Sequence, residues 1–476
     1  MSSEAASGAE VPEAHLEGAS LRAEIAELPE GKSLQGTRLA TAWRTVASRE
    51  SWASLLSGHG LFGRFGYLVA TQAVTVLIGI GYWAISARSI PAAQVGVAAA
   101  AVSAATLIAA LGVLGVNTVL VVELKNQRPA DRSAFITTGI AMAAPIVAAV
   151  TLAVWACSSL LGPSLRTIGH SPADGLLMVL GAVVTMVGTT YDAAALGLSR
   201  SRPRLIRNTL GSVLKVAGVA VAVALNQRTT VALLIGWNAS TLLSLLTYLP
   251  LLKLERVAVS LARRRRIVRT YWRLSLGHHA VNLALGFMGF MLPVIAALFI
   301  LPKQVAYFSV AMLIATSSLA IPFLLSMSLF VESAGEPELL RRSVRKTFPA
   351  GLACSLGVLA VFEPGARLFL GLFGHTYALH GTTSLRLLLL IAVPYVVKDH
   401  FVAIRRAQNR LTEAAKIGIL STAFEVAASA LGAALGGLNW LCAAWVISAA
   451  MEALFFLPAV LIVTRSLSTR HFQILR

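Results

Sequence analysis

Charge is what this sequence has least of. Of its 476 residues, 13% are Asp, Glu, Lys or Arg, about half the share of an average soluble chain. With 57% hydrophobic residues and a mean hydropathy of +0.75, a soluble fold of this size could not hide its apolar surface. Cysteine is nearly missing. Cys157, Cys354 and Cys442 lie inside apolar runs, with no short spacing between them. That excludes a CxxC zinc or redox site and a disulfide-built scaffold. No P-loop GxxxxGK[ST] occurs, so the chain is not the ATPase of a transporter. A basic leader is lacking too, because the first 60 residues carry Glu4, Glu10, Glu13, Glu17, Glu24, Glu27 and Glu30. The expectation is a chain without a signal peptide.

What is present is a series of long apolar runs. A bilayer-crossing helix needs about 20 mostly apolar residues. Twelve stretches meet that need: 62–87, 95–120, 135–160, 176–198, 205–225, 231–252, 275–300, 305–331, 347–371, 383–403, 413–435 and 440–464. We number them spans 1 to 12. Turn signals part them, such as Ser89-Ile90-Pro91 and Arg200-Ser201-Arg202-Pro203. The fold class read from this is an all-α polytopic membrane protein of about twelve transmembrane helices.

The chain divides accordingly. Residues 1–60 form a polar N-terminal tail, rich in Glu, Ala, Ser and Gly and expected to be largely disordered. Within it, 35–57 has the makings of an interfacial helix. Residues 61–252 hold six spans, 253–274 form a basic linker, 275–465 hold six more, and 466–476 close the chain. The halves echo each other. Ile90-Pro91-Ala92-Ala93-Gln94-Val95 and Leu301-Pro302-Lys303-Gln304-Val305 follow spans 1 and 7, and Arg202 and Arg410 follow spans 4 and 10. Two six-helix lobes in one orientation follow from such a repeat, because an even helix number preserves direction.

The net charge of +19 in a soluble chain would suggest nucleic acid. Position argues otherwise. Basic residues crowd the loops after even-numbered spans, at 125–132, 200–207, 253–273, 341–346 and 405–416, while the other face carries few, among them Arg88, Arg166 and Lys303. The positive-inside rule makes the basic loops and both termini cytoplasmic. The 263–266 arginine run then meets anionic lipid headgroups, not nucleic acid.

Ionisable residues at membrane depth are costly and mark cavities or partners. The spans hold Lys215 and Lys398 with Asp192, Asp399, Glu425 and Glu452. Counting along the hairpins pairs Asp192 with Lys215, and Lys398 with Glu425, at similar depths. Asp399 has no depth-matched partner. Such groups could bind an anionic headgroup, couple transport to an ion or merely hold helices together. The ion-coupling candidates are Asp399, Asp192 and Glu425. Candidate cavity residues are Lys215, Lys398, Asp399, Arg88, Tyr67 on span 1, and His278 with Asn282, which share a face of span 7. Metal ligands at matching spacing are not evident, and no cofactor or catalytic motif is found.

Several strings resemble the multidrug/oligosaccharidyl-lipid/polysaccharide (MOP) exporter superfamily, in its polysaccharide-flippase (Wzx-like) branch. Arg88-Ser89-Ile90-Pro91-Ala92-Ala93-Gln94-Val95-Gly96 is similar to the family's turn after helix 1. Leu114-Gly115-Val116-Asn117-Thr118-Val119-Leu120 is similar to the end of its helix 2. Phe373-Gly374-His375-Thr376-Tyr377 resembles the element before helix 10, and Arg406-Ala407-Gln408-Asn409-Arg410 the turn after it. The resemblance covers about 60–465. It implies two six-helix lobes around a central cavity that opens alternately to each side. It also implies a polyprenyl-pyrophosphate-linked oligosaccharide as substrate, flipped across a bacterial cytoplasmic membrane for cell-surface polysaccharide synthesis. A polysaccharide polymerase or ligase complex is a further partner on this reading. His278 and His279 depart from the charged residues that some relatives place on helix 7. Other readings stay open: a multidrug/cation antiporter of the same superfamily, or a membrane scaffold or glycosyltransferase in envelope-polysaccharide assembly. The short external loops, none beyond about 160–175, disfavour the glycosyltransferase.

Overall fold

The computed structural model describes residues 60–252, 260–320, 322–323, 326, 337–408 and 410–465. The expected interfacial helix at 35–57 and the closing tail at 466–476 lie outside the described residues. By contact the chain splits into Met1–Gly63, of which only residues 60–63 are described, and Arg64–Arg476.

Among the described residues every regular element is helical. They are α1 Gly60–Ser89, α2 Ala92–Gly112, α3 Val116–Glu123, α4 Pro129–Ala156, α5 Pro163–Gly169, α6 Pro172–Gly197, α7 Ser201–Ala224, α8 Thr230–Leu245 and α9 Tyr248–Leu251. Then come α10 Leu261–Phe299, α11 Pro302–Ser318, α12 Pro337–Gly371, α13 His375–Leu389, α14 Ala392–Ala407 and α15 Leu411–Arg465. Among the described residues, seven helical segments are long and apolar enough to cross a bilayer. The twelve sequence spans outnumber these because spans 11 and 12 run together and because the described apolar helical stretches of spans 1, 6, 7 and 8 are shorter, at Ala73–Ser89, Thr230–Leu245, Phe287–Phe299 and Pro302–Ser318. Span 2 is α2 and α3, broken where Leu114 and Gly115 take positive φ. Span 10 is α13 and α14. Spans 11 and 12 run together as α15, divided at Gly437 with φ 72° and ψ −150°. Glycine suits that left-handed backbone because it has no Cβ to clash.

Proline starts many of these helices, at Pro129, Pro163, Pro172 and Pro302. Its fixed φ fits the first turn, and its missing N–H has no helical partner there to lose. The expected linker is shorter than the sequence implied. Residues 261–274 are the first turns of the 39-residue α10, capped by Ser260, whose hydroxyl accepts from the Arg263 N–H. Four consecutive arginines do not interrupt a helix, since their straight side chains lose little rotamer freedom in one.

Lipid offers helices no hydrophobic drive to associate, so close approach depends on small residues. Helix α2 supplies them: Ala98, Ala99, Ala100 and Ala101 are almost fully buried. It packs against α11, its counterpart in the second half. At their first turns the backbones nearly touch. A Cβ on Gly96 would overlap the Pro302 carbonyl oxygen, and one on Gly162 would overlap that of Leu298. Ser164 Oγ donates to Ile300 O at 2.9 Å. These contacts close the end of the molecule opposite the arginine-rich loops.

The basic end has its own seam. Gly115 lies against Ser275 O, Ser275 Oγ donates to Leu114 O at 2.7 Å, and Gln127 Nε2 donates to the Tyr271 hydroxyl at 3.0 Å. The break in span 2 frees the Leu114 carbonyl for that bond.

Candidate functional site

Two polar clusters sit among the spans, one in each half. In the first, Asp192 on α6 accepts from Arg207 Nη1 at 3.3 Å, from Asn208 Nδ2 at 3.3 Å and from the Tyr248 hydroxyl. The expected Asp192–Lys215 pair does not form. Arg207, assigned from sequence to a loop, is a buried residue of α7. The α6–α7 connection is very short, so Asp192 and Arg207 each lie about one and a half turns from it and meet. Lys215 is two turns deeper.

That leaves Lys215 in an unusual setting. Its Nζ lies 3.6 Å above the centre of the Trp237 ring. Trp237 in turn contacts Tyr82 and Trp83 of α1, with ring centres 5.4 and 6.2 Å away. Among the described residues no carboxylate pairs with this ammonium. The exposed stripe of α7 runs through Leu210, Val213, Ala217 and Val221. Lys215 projects from the opposite face, toward protein rather than lipid.

In the second half, Lys398 of α14 does meet Glu425, at 2.7 Å, and meets Glu452 as well, at 3.0 Å. Glu425 Oε2 accepts from the Tyr395 hydroxyl at 3.1 Å and from Trp445 Nε1 at 3.2 Å. Glu452 Oε2 accepts from Ser421. Helical spacing explains the convergence. Ser421 and Glu425 are four apart, and Trp445 and Glu452 are seven apart, so each pair shares a face of its part of α15. Sequence reading paired Lys398 with Glu425 alone, because depth counting compares neighbours in one hairpin, whereas Glu452 is brought in where α15 folds back at Gly437. One ammonium faces two carboxylates, so this triad carries a net negative charge or one bound proton. Glu452 Oε1 is buried without a hydrogen-bond partner.

Asp399, next in sequence, is half-buried and has no hydrogen bond or ion pair among the described residues. Its neighbour His400 is spent on packing: fully buried, it bonds Val396 O at 2.8 Å and the Thr347 hydroxyl at 3.2 Å.

The other sequence candidates are dispersed. Asn282 Nδ2 donates to Thr118 Oγ1 at 2.8 Å, which ties α10 to α3, and His278 is half-buried one turn away. The side chain of Tyr67 lies outside the described residues. Arg88 is not a cavity group. Its Nε donates to Leu372 O at 2.8 Å and its Nη2 to Gly371 O at 3.2 Å. It thereby caps the C-terminus of α12 from the end of α1, satisfying carbonyls that the helix leaves unpaired and meeting the negative end of its dipole. Arg88→Gln is expected to cost about 1 kcal/mol and to lower the unfolding temperature measurably in detergent without changing the oligomeric state. No shift in that temperature would mean the cap contributes nothing. Among the described residues no cluster of three His, Cys, Asp or Glu could hold a metal.

Sequence reading missed Arg207, Tyr248, Tyr395, Trp445 and Trp237. The aromatic residues were visible in the apolar runs, but their partners come from other spans.

Neither a protein-family model nor a curated protein sequence matches the chain. Solved structures do. The fold is similar to the inward-facing conformation of a multidrug resistance MATE family transporter of the MOP superfamily. That match has a TM-score of 0.62 and 16% identity, over 83% of this chain and 96% of that one. It is also similar to the lipid II flippase MurJ in an inward closed conformation, with a TM-score of 0.64 and 9% identity over 84% and 89% of the two chains. A third is a MOP superfamily transporter from Pyrococcus furiosus described as having a binding pocket of reverse polarity. Its TM-score is 0.50, with 14% identity over 85% and 97%. At these identities the shared property is the fold. The described residues share the all-helical, multi-span fold of these transporters, the fold class expected from the sequence.

Proposed function

We propose that this chain is an alternating-access transporter that flips a polyprenyl-pyrophosphate-linked oligosaccharide across a bacterial cytoplasmic membrane, with its basic end toward the cytoplasm. One observation carries the reading: Lys215 points toward protein beside the Trp237, Tyr82 and Trp83 rings, with no carboxylate partner among the described residues. A pyrophosphate–sugar headgroup cannot enter hydrocarbon unaided. A lysine without a resident counter-ion among the described residues can pair with the phosphate, and aromatic faces suit the apolar faces of sugar rings. The lipid tail stays in the bilayer. The fold shared with a lipid II flippase supports the reading.

Export of cationic compounds is the second reading. It is favoured by the unpaired Asp399 and by the two carboxylates shared by Lys398, and by the fold shared with a multidrug transporter.

The test is the sidedness of lipid-linked oligosaccharide in cells depleted of the protein and complemented with variants. Wild-type protein is expected to relieve accumulation on the cytoplasmic leaflet. Lys215→Ala is expected to reduce flipping about tenfold, the loss of one strong charged contact, at unchanged protein abundance, and Lys215→Arg to retain part of it. Normal sidedness in depleted cells, with sensitivity to cationic drugs that Asp399→Asn fails to rescue, would replace the flippase with the antiporter.

A further inference from the structure

A lateral groove opens where α3 and α4 of the first half meet the start of α10 in the second. Its walls include Val116, Val119, Phe135, Met142, Ile267 and Val268, and Thr138 and Ser275 also line it. The space between these walls, counting the part that is open to the outside, is about 380 Å³. The hydroxyls in the walls are engaged, that of Tyr271 as acceptor from Gln127 Nε2 at 3.0 Å. The Thr138 hydroxyl donates to Ala134 O at 2.6 Å and that of Ser275 to Leu114 O at 2.7 Å. The groove therefore takes hydrocarbon, not a sugar.

Its mouth toward the basic end is different. Arg132 precedes Phe135 by one helical turn on α4, and Arg264 precedes Ile267 and Val268 by one turn on α10. Side chains on a helix lean toward its N-terminus. Both α4 and α10 begin at the basic end, so both arginine side chains lean toward that end of the groove. The Nε atoms of both residues are buried without a hydrogen-bond partner. Between 128–142 and 260–275 the sequence has one acid, Asp131, against Arg128, Arg132, Arg263, Arg264, Arg265, Arg266, Arg269 and Arg273. Asp131 is already taken by Arg263. Trp272, 45% exposed on the groove's edge, is a residue type that favours the headgroup level of a bilayer.

We infer that this groove binds an anionic glycerophospholipid, one acyl chain lying between α3, α4 and α10 and the phosphate held by Arg132 and Arg264. The charge of the mouth requires an anion, and the apolar walls require a chain attached to it. The site is separate from Lys215 and does not depend on the transported substrate.

Photolabelling of the full chain in nanodiscs tests this. The probes carry a diazirine in the acyl chain, on phosphatidylglycerol, on phosphatidylcholine, or on polyprenyl phosphate as the third arm. Phosphatidylglycerol is expected to label 135–142 and 267–272 about fivefold or more over phosphatidylcholine, the preference that one or two arginine–phosphate contacts give. The double variant Arg132→Gln/Arg264→Gln should abolish that preference. Val268→Trp, which fills the groove and keeps every charge, should block labelling by both phospholipids. Equal labelling by both phospholipids would overturn the inference. So would stronger labelling by polyprenyl phosphate than by phosphatidylglycerol, or a preference that survives the double arginine variant. If that variant does not yield monodisperse protein, Val268→Trp decides: phosphatidylglycerol labelling that persists in it overturns the site.

Discussion

Replacing Lys398 with alanine is expected to destabilise the folded chain by about 3–5 kcal/mol, the cost of breaking a buried pair by removing one partner. The lysine side chain is 13% exposed, and Glu425 and Glu452 are 0% and 8% exposed. Without the ammonium, two carboxylates face each other out of water. Glu425 would keep its bonds from Tyr395 and Trp445, but Glu452 would keep only Ser421. The triple variant Lys398→Met/Glu425→Gln/Glu452→Gln removes all three charges at similar volume. It is expected to recover most of the stability, because a buried ion cluster is poor evidence of net stabilisation. Thermal unfolding in detergent and the yield of monodisperse protein measure both effects. A triple variant no more stable than Lys398→Ala would show that the three residues do not act as one unit. Transport separates the two roles of the cluster. A triple variant that folds yet does not transport assigns the charges to coupling. One that folds and transports leaves them a purely structural part.

The second large effect is steric. Gly96→Val and Gly162→Ala are each expected to slow transport about tenfold or more, equivalent to at least about 1.4 kcal/mol against the closed form. Each new Cβ would overlap a backbone carbonyl of the opposite half, Pro302 at Gly96 and Leu298 at Gly162. A rotamer change cannot relieve a clash with backbone, so the halves must part at that end. Neither glycine has a positive φ, which leaves contact as the cause. Ser164→Cys, placed in a background lacking Cys157, Cys354 and Cys442, reports the change. Ser164 is fully buried in the closed end, and a membrane-impermeant maleimide should label the cysteine faster once either glycine is replaced. Gly357→Ala is the control, because a Cβ there meets nothing within 4 Å. Gly96→Val transporting at the control's rate would show that this end does not need to close.

Much of the fold is legible in the sequence because bilayer thickness imposes it. A helix that must hold about 20 apolar residues leaves a run that no soluble loop imitates. Ser89-Ile90-Pro91 and Leu301-Pro302 both marked helix starts: Pro302 because its fixed φ fits the first turn, Pro91 one place earlier as the N-cap of α2. The Lys398–Glu425 pair was legible because the two residues lie on consecutive spans, where counting from a shared turn gives depth. Depth counting failed for Asp192. It assumed a longer turn than the one present, and a turn and a half of helix was enough to put Arg207 rather than Lys215 beside the acid.

By itself, then, the sequence determined the class of protein, the run of spans and the crowding of positive charge at one end, since each follows from hydropathy and local backbone chemistry summed along the chain. Tertiary structure decided which charges are spent on each other and which are left over. Glu452 joins Lys398 because α15 folds back at Gly437. Lys215 is left with an aromatic ring because Arg207 reaches Asp192 first. Arg88 leaves the cavity set because α12 ends within its reach, 284 residues along the chain. Partnership at that range depends on helix rotation and on where distant segments cross, and hydropathy along one chain carries neither.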